Sequence, residues 1–206
     1  MHASISSVFL QSLWSIIFLS TLVSAVPIDN GLIDSELVKE CLTNNTVDVV
    51  LLLDGSGSIG DDTFQLQLNF AGHLARRLNV TSTGSHLAIV QFAESPQLEI
   101  SLNQFTNPNQ LESAIRRIKY LSGATNTGQA LHFALENGFQ GARGGSVPKV
   151  VIVVTDGQSQ DDVSEPSQRL RDGQVLLYAI GVTNLVNVHQ LHQSFVKCDE
   201  FSRLTL

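Results

Sequence analysis

The chain has 206 residues, with 12 Lys and Arg against 19 Asp and Glu, a formal net charge of −7 and 43% hydrophobic residues. That acidity argues against nucleic acid or an anionic membrane as a partner. The only basic pairs, Arg76-Arg77 and Arg116-Arg117, fall on predicted helices and read as solvated faces.

Met1 to Leu22 is rich in Phe, Leu, Ile, Val, Trp and Ser and carries no Lys, Arg, Asp or Glu. Its apolar core, Val8 to Val23, is broken by Gln11, Ser12 and Ser15 and is shorter than the ~20 residues of a spanning helix. Val23-Ser24-Ala25 supplies the small-residue pattern of a signal-peptidase site, so residues 1–25 read as a signal peptide and the mature chain as secreted. The segment before that core has only the terminal amine and His2, which leaves an uncleaved anchor as the alternative. Cleavage leaves about 180 residues, enough for one compact domain with a sizeable core. No later stretch is apolar enough to span a bilayer, and there is no internal repeat.

Residues 26–46 form a short acidic lead, and the domain proper is placed at 47–206. A near-continuous apolar run from about Val47 to Leu53 predicts a strand buried on both faces of a parallel sheet. Phe64, Leu68, Ala71, Leu74 and Leu78 recur at helical spacing, with Asp61 and Asp62 in the first turn, where negative side chains suit the helix dipole. Leu87 to Phe92 reads as a second buried strand. Leu98, Ile100 and Leu102 alternate with Glu99 and Ser101, the pattern of an edge strand with one wet face, hairpinned through Ser95-Pro96. Asn107-Pro108 is a helix cap followed by Pro at the first helical position, ahead of Leu111, Ala114, Ile115 and Ile118.

The polar loop Leu121 to Gly128 leads into a helix with Ala130, Leu131, Ala134 and Leu135 inward. A Gly-rich loop, Gly141 to Ser146, precedes the strand Val150 to Val154, which ends in Thr155-Asp156-Gly157. A polar helix from Ser164 to Arg171 precedes a strand from Val175 to Ile180, and the tail from Leu185 to Leu206 carries one short helix and a last strand. Strands and helices alternate, so the fold class is α/β: a doubly wound, mostly parallel sheet with one antiparallel edge strand and helices on both faces.

Cys41 and Cys198 stand at either end of the mature domain. In an oxidising compartment they suggest one clasp, worth about 5 kcal/mol in the chain-entropy model; unpaired thiols or bonds to other chains are the alternatives. Asn44-Asn45-Thr46 and Asn79-Val80-Thr81 are acceptors for N-glycosylation at Asn44 and Asn79.

Ligands of such a sheet bind beyond the carboxyl ends of its strands, and Asp54 and Asp156 both occupy strand ends. Asp54 is followed by hydroxyls at Ser56 and Ser58, and Thr125, with Thr127 beside it, lies on the intervening loop. Two carboxylates with three hydroxyls make a hard, oxygen-only set that favours Mg2+, Mn2+ or Ca2+ over zinc. With only two protein charges, the ion would stay electrophilic and gain from an acidic group supplied by a partner. Taken singly, strand-end Asp residues are ordinary turn formers; it is the constellation that points to a metal.

Gly55-Ser56-Gly57-Ser58-Ile59-Gly60 also matches the dinucleotide fingerprint G-x-G-x-x-G. Asp54, Asp61 and Asp62 crowd the place of a pyrophosphate, and no carboxylate lies near Leu74, where a ribose ligand belongs. A serine hydrolase is disfavoured because neither Ser56 nor Ser58 lies within G-x-S-x-G. His73, His86, His132, His189 and His192 have no motif tying them to a serine, and Asp161 and Asp162 read as loop charges at the site rim.

Asp54-Gly55-Ser56-Gly57-Ser58 resembles the DxSxS motif of the von Willebrand factor type A domain. The Thr125-Asn126-Thr127-Gly128 loop and Thr155-Asp156-Gly157 fall where that family carries its second and third metal-site loops, and the resemblance covers about Val47 to Phe201. It implies a metal-ion-dependent adhesion site, with Ser56, Ser58 and Thr125 as direct ligands and Asp54 and Asp156 acting largely through water. A Glu or Asp of the ligand would fill the open position. The flanking cysteines resemble those of the matrix members of the family, the matrilins and A-domain collagens. The implied protein is a secreted, non-enzymatic binder of collagen or another matrix protein, with self-association left open. The alternative is a structural matrix component that assembles independently of the metal. The stretch after Gly181 is short for the family's last helix and strand.

Overall fold

The structure, a computed structural model, describes residues 46–182 apart from 146 and 158. The expected signal peptide, Cys41, Asn44, His189, His192, Cys198 and the last helix and strand lie outside the described residues.

Every residue of the central strand β1 (Asp48–Asp54) is buried. Side chains of a strand alternate between faces, so Val49, Leu51 and Leu53 enter one core and Val50 and Leu52 the other. The first core is closed by Phe64, Leu68, Ala71 and Leu74 of helix α1 (Gly60–Arg77) and by Leu111 and Ile115 of α2 (Pro108–Ile115). The second is closed by Ala130 and Leu131 of α3 (Thr127–Phe133) and Leu170 of α4 (Ser164–Asp172). Two covered faces explain why β1 is apolar throughout rather than alternating.

The sheet runs β3-β2-β1-β4-β5. β1 lies parallel to β2 (His86–Phe92) and to β4 (Lys149–Thr155), and β4 parallel to β5 (Val175–Gly181). β3 (Pro96–Ile100) is the antiparallel edge strand the sequence predicts. Its side-chain pattern differs from expectation. Ile89 pairs with Ile100 but Val90 with Leu98, so Glu99 occupies a bulge and Leu98 shares the face of Val90. Leu98, on the edge strand, is 38% exposed, whereas Ile100 and Leu102 are buried.

Asn107 caps α2 as expected, its Oδ1 accepting from the Asn109 and Gln110 amides. Helix α3 passes into a π-helical turn, Ala134–Gly138, which no periodicity in the sequence announces. Gly138 there lies so close to β1 that a Cβ would stand 3.0 Å from both Val50 methyl carbons.

At the amino-terminal end of β1, fully buried Asp48 is held by a residue from the Gly-rich loop. The Arg143 amide donates to Asp48 Oδ2 at 2.8 Å and its Nε to Oδ1 at 3.1 Å, while Nη1 reaches Gly84 O at 2.6 Å. His86 Nδ1 lies 3.6 Å from Asp48 Oδ1.

Candidate functional site

At the carboxyl end of the sheet β1 and β4 are neighbours, with Leu53 opposite Val154, so the loops that follow them are brought together. Asp54 is fully buried. Its Oδ1 accepts from the Ser56 amide at 2.8 Å and its Oδ2 from the Thr155 hydroxyl at 2.6 Å. The Ser56 and Ser58 hydroxyls are 3.1 Å apart, and Ser58 Oγ donates to Asp156 Oδ1 at 3.2 Å. Asp54, Ser56, Ser58 and Asp156 thus form one hydrogen-bonded set.

Thr125 is 6% exposed on the second loop, which is docked on both neighbours. Gly123 O accepts from the Gly57 amide at 2.8 Å, and Thr125 O from the Gln160 amide at 2.8 Å. Among the described residues the Thr125 hydroxyl makes no hydrogen bond. Thr127, also buried, opens α3 and donates its amide to Ser159 Oγ at 3.1 Å.

Both carboxylates are pushed above the ordinary aspartate value. Burial raises Asp54, against hydrogen bonds from Thr155 and Ser56, and the charge of Asp156 adds to the rise. Burial likewise raises Asp156, against its hydrogen bond from Ser58. No Lys or Arg lies in 54–59 or 155–163. Such a pair gains from an added positive charge, and the available oxygens are those a hard divalent cation takes. The donor set therefore fits a metal. Among the described residues no cluster of three or more His, Cys, Asp or Glu offers a competing site.

Several side chains that hold this end together escaped the sequence reading. Gln67 of α1 is fully buried and donates Nε2 to Asp54 O at 2.9 Å, while its Oε1 finds no partner among the described residues. The Tyr120 hydroxyl donates to Ser56 O at 2.6 Å, and its ring packs 5.4 Å from that of Phe64. Gln91 of β2 donates to Lys119 O at 2.8 Å and accepts from the Leu121 amide at 2.9 Å, fastening the second loop. Its side chain so fills the space over Gly55 that any Cβ there would collide with it. The signal for Gln67 and Gln91 was present: each is a polar residue at an apolar position of its pattern.

Asp161 and Asp162 are not mere loop charges. Asp161 accepts from the Gly128 and Gln129 amides at 2.7 and 2.8 Å and from Ser159 Oγ at 2.6 Å, tying the third loop to the start of α3. Asp162, one residue before the N-cap Val163, accepts from the Ser164 amide at 3.0 Å, which holds its carboxyl below the usual range. His73 is exposed and His132 faces Glu136 across one helical turn, so neither approaches the site's serines.

A profile of the von Willebrand factor type A domain matches residues 48–198. The chain belongs to this family. Cuticlin-6 of Caenorhabditis elegans is 68% identical over 88% of this chain and 32% of its own length. The collagen alpha-1(XII) chain of Notophthalmus viridescens is 38% identical over 70% of this chain and 16% of its own. The chain spans about a third or less of the curated relatives it matches. Among solved structures, proximal thread matrix protein 1 from the mussel byssus, with a zinc-occupied MIDAS motif, superposes with a TM-score of 0.66 at 27% identity, over 80% of this chain and 44% of its own. These relatives carry the names of structural proteins, none the name of an enzyme. Among the described residues no helix is long and apolar enough to cross a membrane.

Proposed function

We propose that this chain is a secreted, non-enzymatic von Willebrand type A domain that binds an extracellular protein ligand through a divalent cation. Asp54, Ser56, Ser58, Thr125 and Asp156 hold the ion. The observation that carries this reading is the buried carboxylate pair, both members raised by desolvation and joined through the serine hydroxyls. When bound, the ion offers an electrophilic position to an acidic side chain of the ligand, a collagen or another matrix protein. Hard oxygens favour Mg2+, Mn2+ or Ca2+; the zinc in the byssal thread protein makes zinc a further ion to titrate.

In the same reading residues 1–25 are a cleaved signal peptide, 26–46 a lead and 47–206 the domain, clasped by Cys41 and Cys198. Asn44 and Asn79 carry glycans. Asn79 is exposed just beyond α1 in a left-handed conformation (φ 51°), which supports its accessibility.

Calorimetric titration of the secreted chain with Mg2+, Mn2+, Ca2+ and Zn2+ tests the site, alongside Asp54→Ala. Saturable binding that the variant loses is expected; equal binding by the variant overturns the assignment. A second reading is favoured by the cuticlin, collagen and thread-matrix relatives: a structural component that assembles without the metal. Self-association of the chain undiminished by chelator would select it.

A further inference from the structure

Among the described residues, five cations stand at the carboxyl ends of two helices that pack together, α1 and α2. Arg76 and Arg77 end α1, and Arg116, Arg117 and Lys119 follow α2: five of the chain's 12 Lys and Arg. Far apart in sequence, the two arginine pairs converge in the fold on a single carboxylate. Glu112 Oε2 accepts from Arg76 Nη1, and Glu112 Oε1 accepts from Arg116 Nη2 at 2.7 Å. Both guanidiniums remain accessible, their side chains 41% and 62% exposed. Arg77, Arg117 and Lys119 are exposed as well, with no acidic partner among the described residues. Glu112 is the only Asp or Glu in 63–77 and 108–119. The two guanidiniums hold its carboxyl below the usual range, Arg76 more than Arg116.

We propose that this α1/α2 face docks a sulfated glycosaminoglycan, independently of the metal site. Four of the five cations are Arg, whose planar fork grips sulfate and carboxylate oxygens bidentately. The overall charge of −7 decides the shape of the partner. A wide polyanion such as a nucleic-acid duplex meets the acidic remainder of the surface and is repelled. A thin, flexible sulfated chain stays on the basic face, and beyond about 8 Å at physiological salt the rest of the molecule is screened from it. Glu112 is a built-in competitor: it occupies Arg76 and Arg116 until a sulfate displaces it.

The test is affinity of the full secreted chain for heparin, after enzymatic removal of any glycan at Asn79, which stands two residues from Arg77. Arg77→Glu/Arg117→Glu spares the Glu112 contacts and should lose at least tenfold in affinity, with a shallower dependence on salt. Arg169→Glu/Arg171→Glu on α4 makes the same change in net charge and should lose less than twofold. Glu112→Gln frees two guanidiniums and should bind several-fold tighter. Chelator should change nothing. Equal losses in the two double variants, or weaker binding by a folded Glu112→Gln, overturns the proposal. Desulfated heparin binding as well as heparin overturns the choice of partner and points to an acidic protein instead. Unchanged melting temperatures keep these outcomes separate from misfolding, and retained Mn2+ binding keeps them separate from the metal site.

Discussion

The central strand begins and ends on an aspartate, and both side chains are wholly removed from water. At Asp48 the fold brings its own counter-charge, the Arg143 guanidinium, together with the Arg143 amide and the His86 imidazole of β2. At Asp54 it brings hydroxyls and an amide, and the nearby charge is another carboxylate, Asp156. The same residue on the same strand is thus finished as structure at one end and left electrically incomplete at the other. A buried charge that the protein neutralises holds loops in place; one that it leaves to an outside cation makes a binding site.

The largest effect should come from the finished end. Arg143→Ala leaves Asp48 buried without its partner and should lower stability by about 3–5 kcal/mol in denaturant unfolding. A loss below about 1 kcal/mol would make the two ends alike. Asp54→Asn should do the reverse: stability without metal within about 1 kcal/mol of wild type, because one acceptor survives, but no measurable cation binding by calorimetry.

The two ends should also differ in their response to pH. Asp54 and Asp156 titrate above the ordinary aspartate value of 3.8 when folded. The metal-free folded state therefore holds these protons more tightly than the unfolded chain. The stability they contribute is full below that value and is lost as pH rises through the raised values. Melting curves in chelator should show wild type falling relative to Asp54→Asn over this window, and saturating Mg2+ should reverse the trend, wild type then gaining on Asp54→Asn as pH rises. Parallel curves in chelator would mean that Asp54 is not raised.

A smaller effect is expected at the margin. Asp161→Ala removes the cap of α3 and should lower stability by about 1 kcal/mol. It should also weaken cation binding several-fold, because the loop bearing Thr125 loses its anchor; unchanged affinity would confine Asp161 to the helix.

What was legible in the sequence was what is local. The apolar run of β1 ending in Asp54-Gly55-Ser56-Gly57-Ser58 announced both the strand and three of the five candidate ligands within a few residues. Asn107-Pro108 announced a cap that the structure contains. The remainder depends on residues brought together from far apart. Nothing near Asp48 marks Arg143 as its partner, and nothing near Glu112 marks two arginine pairs as one surface. The bulge at Glu99 is a matter of pairing with β2, invisible in the alternation of β3 alone. Tyr120 and Asp161 act through backbone groups of a distant loop and of the first turn of α3, contacts that residue identity does not encode.

The most direct test of the incomplete end is the melting temperature against cation concentration, wild type beside Asp54→Asn. A bound cation stabilises by RT ln(1 + [L]/Kd), about 2.7 kcal/mol at a hundredfold excess over Kd. Wild type should climb along that curve while Asp54→Asn stays flat. The same climb in both would contradict the claim that the carboxyl end of β1 is where the cation belongs.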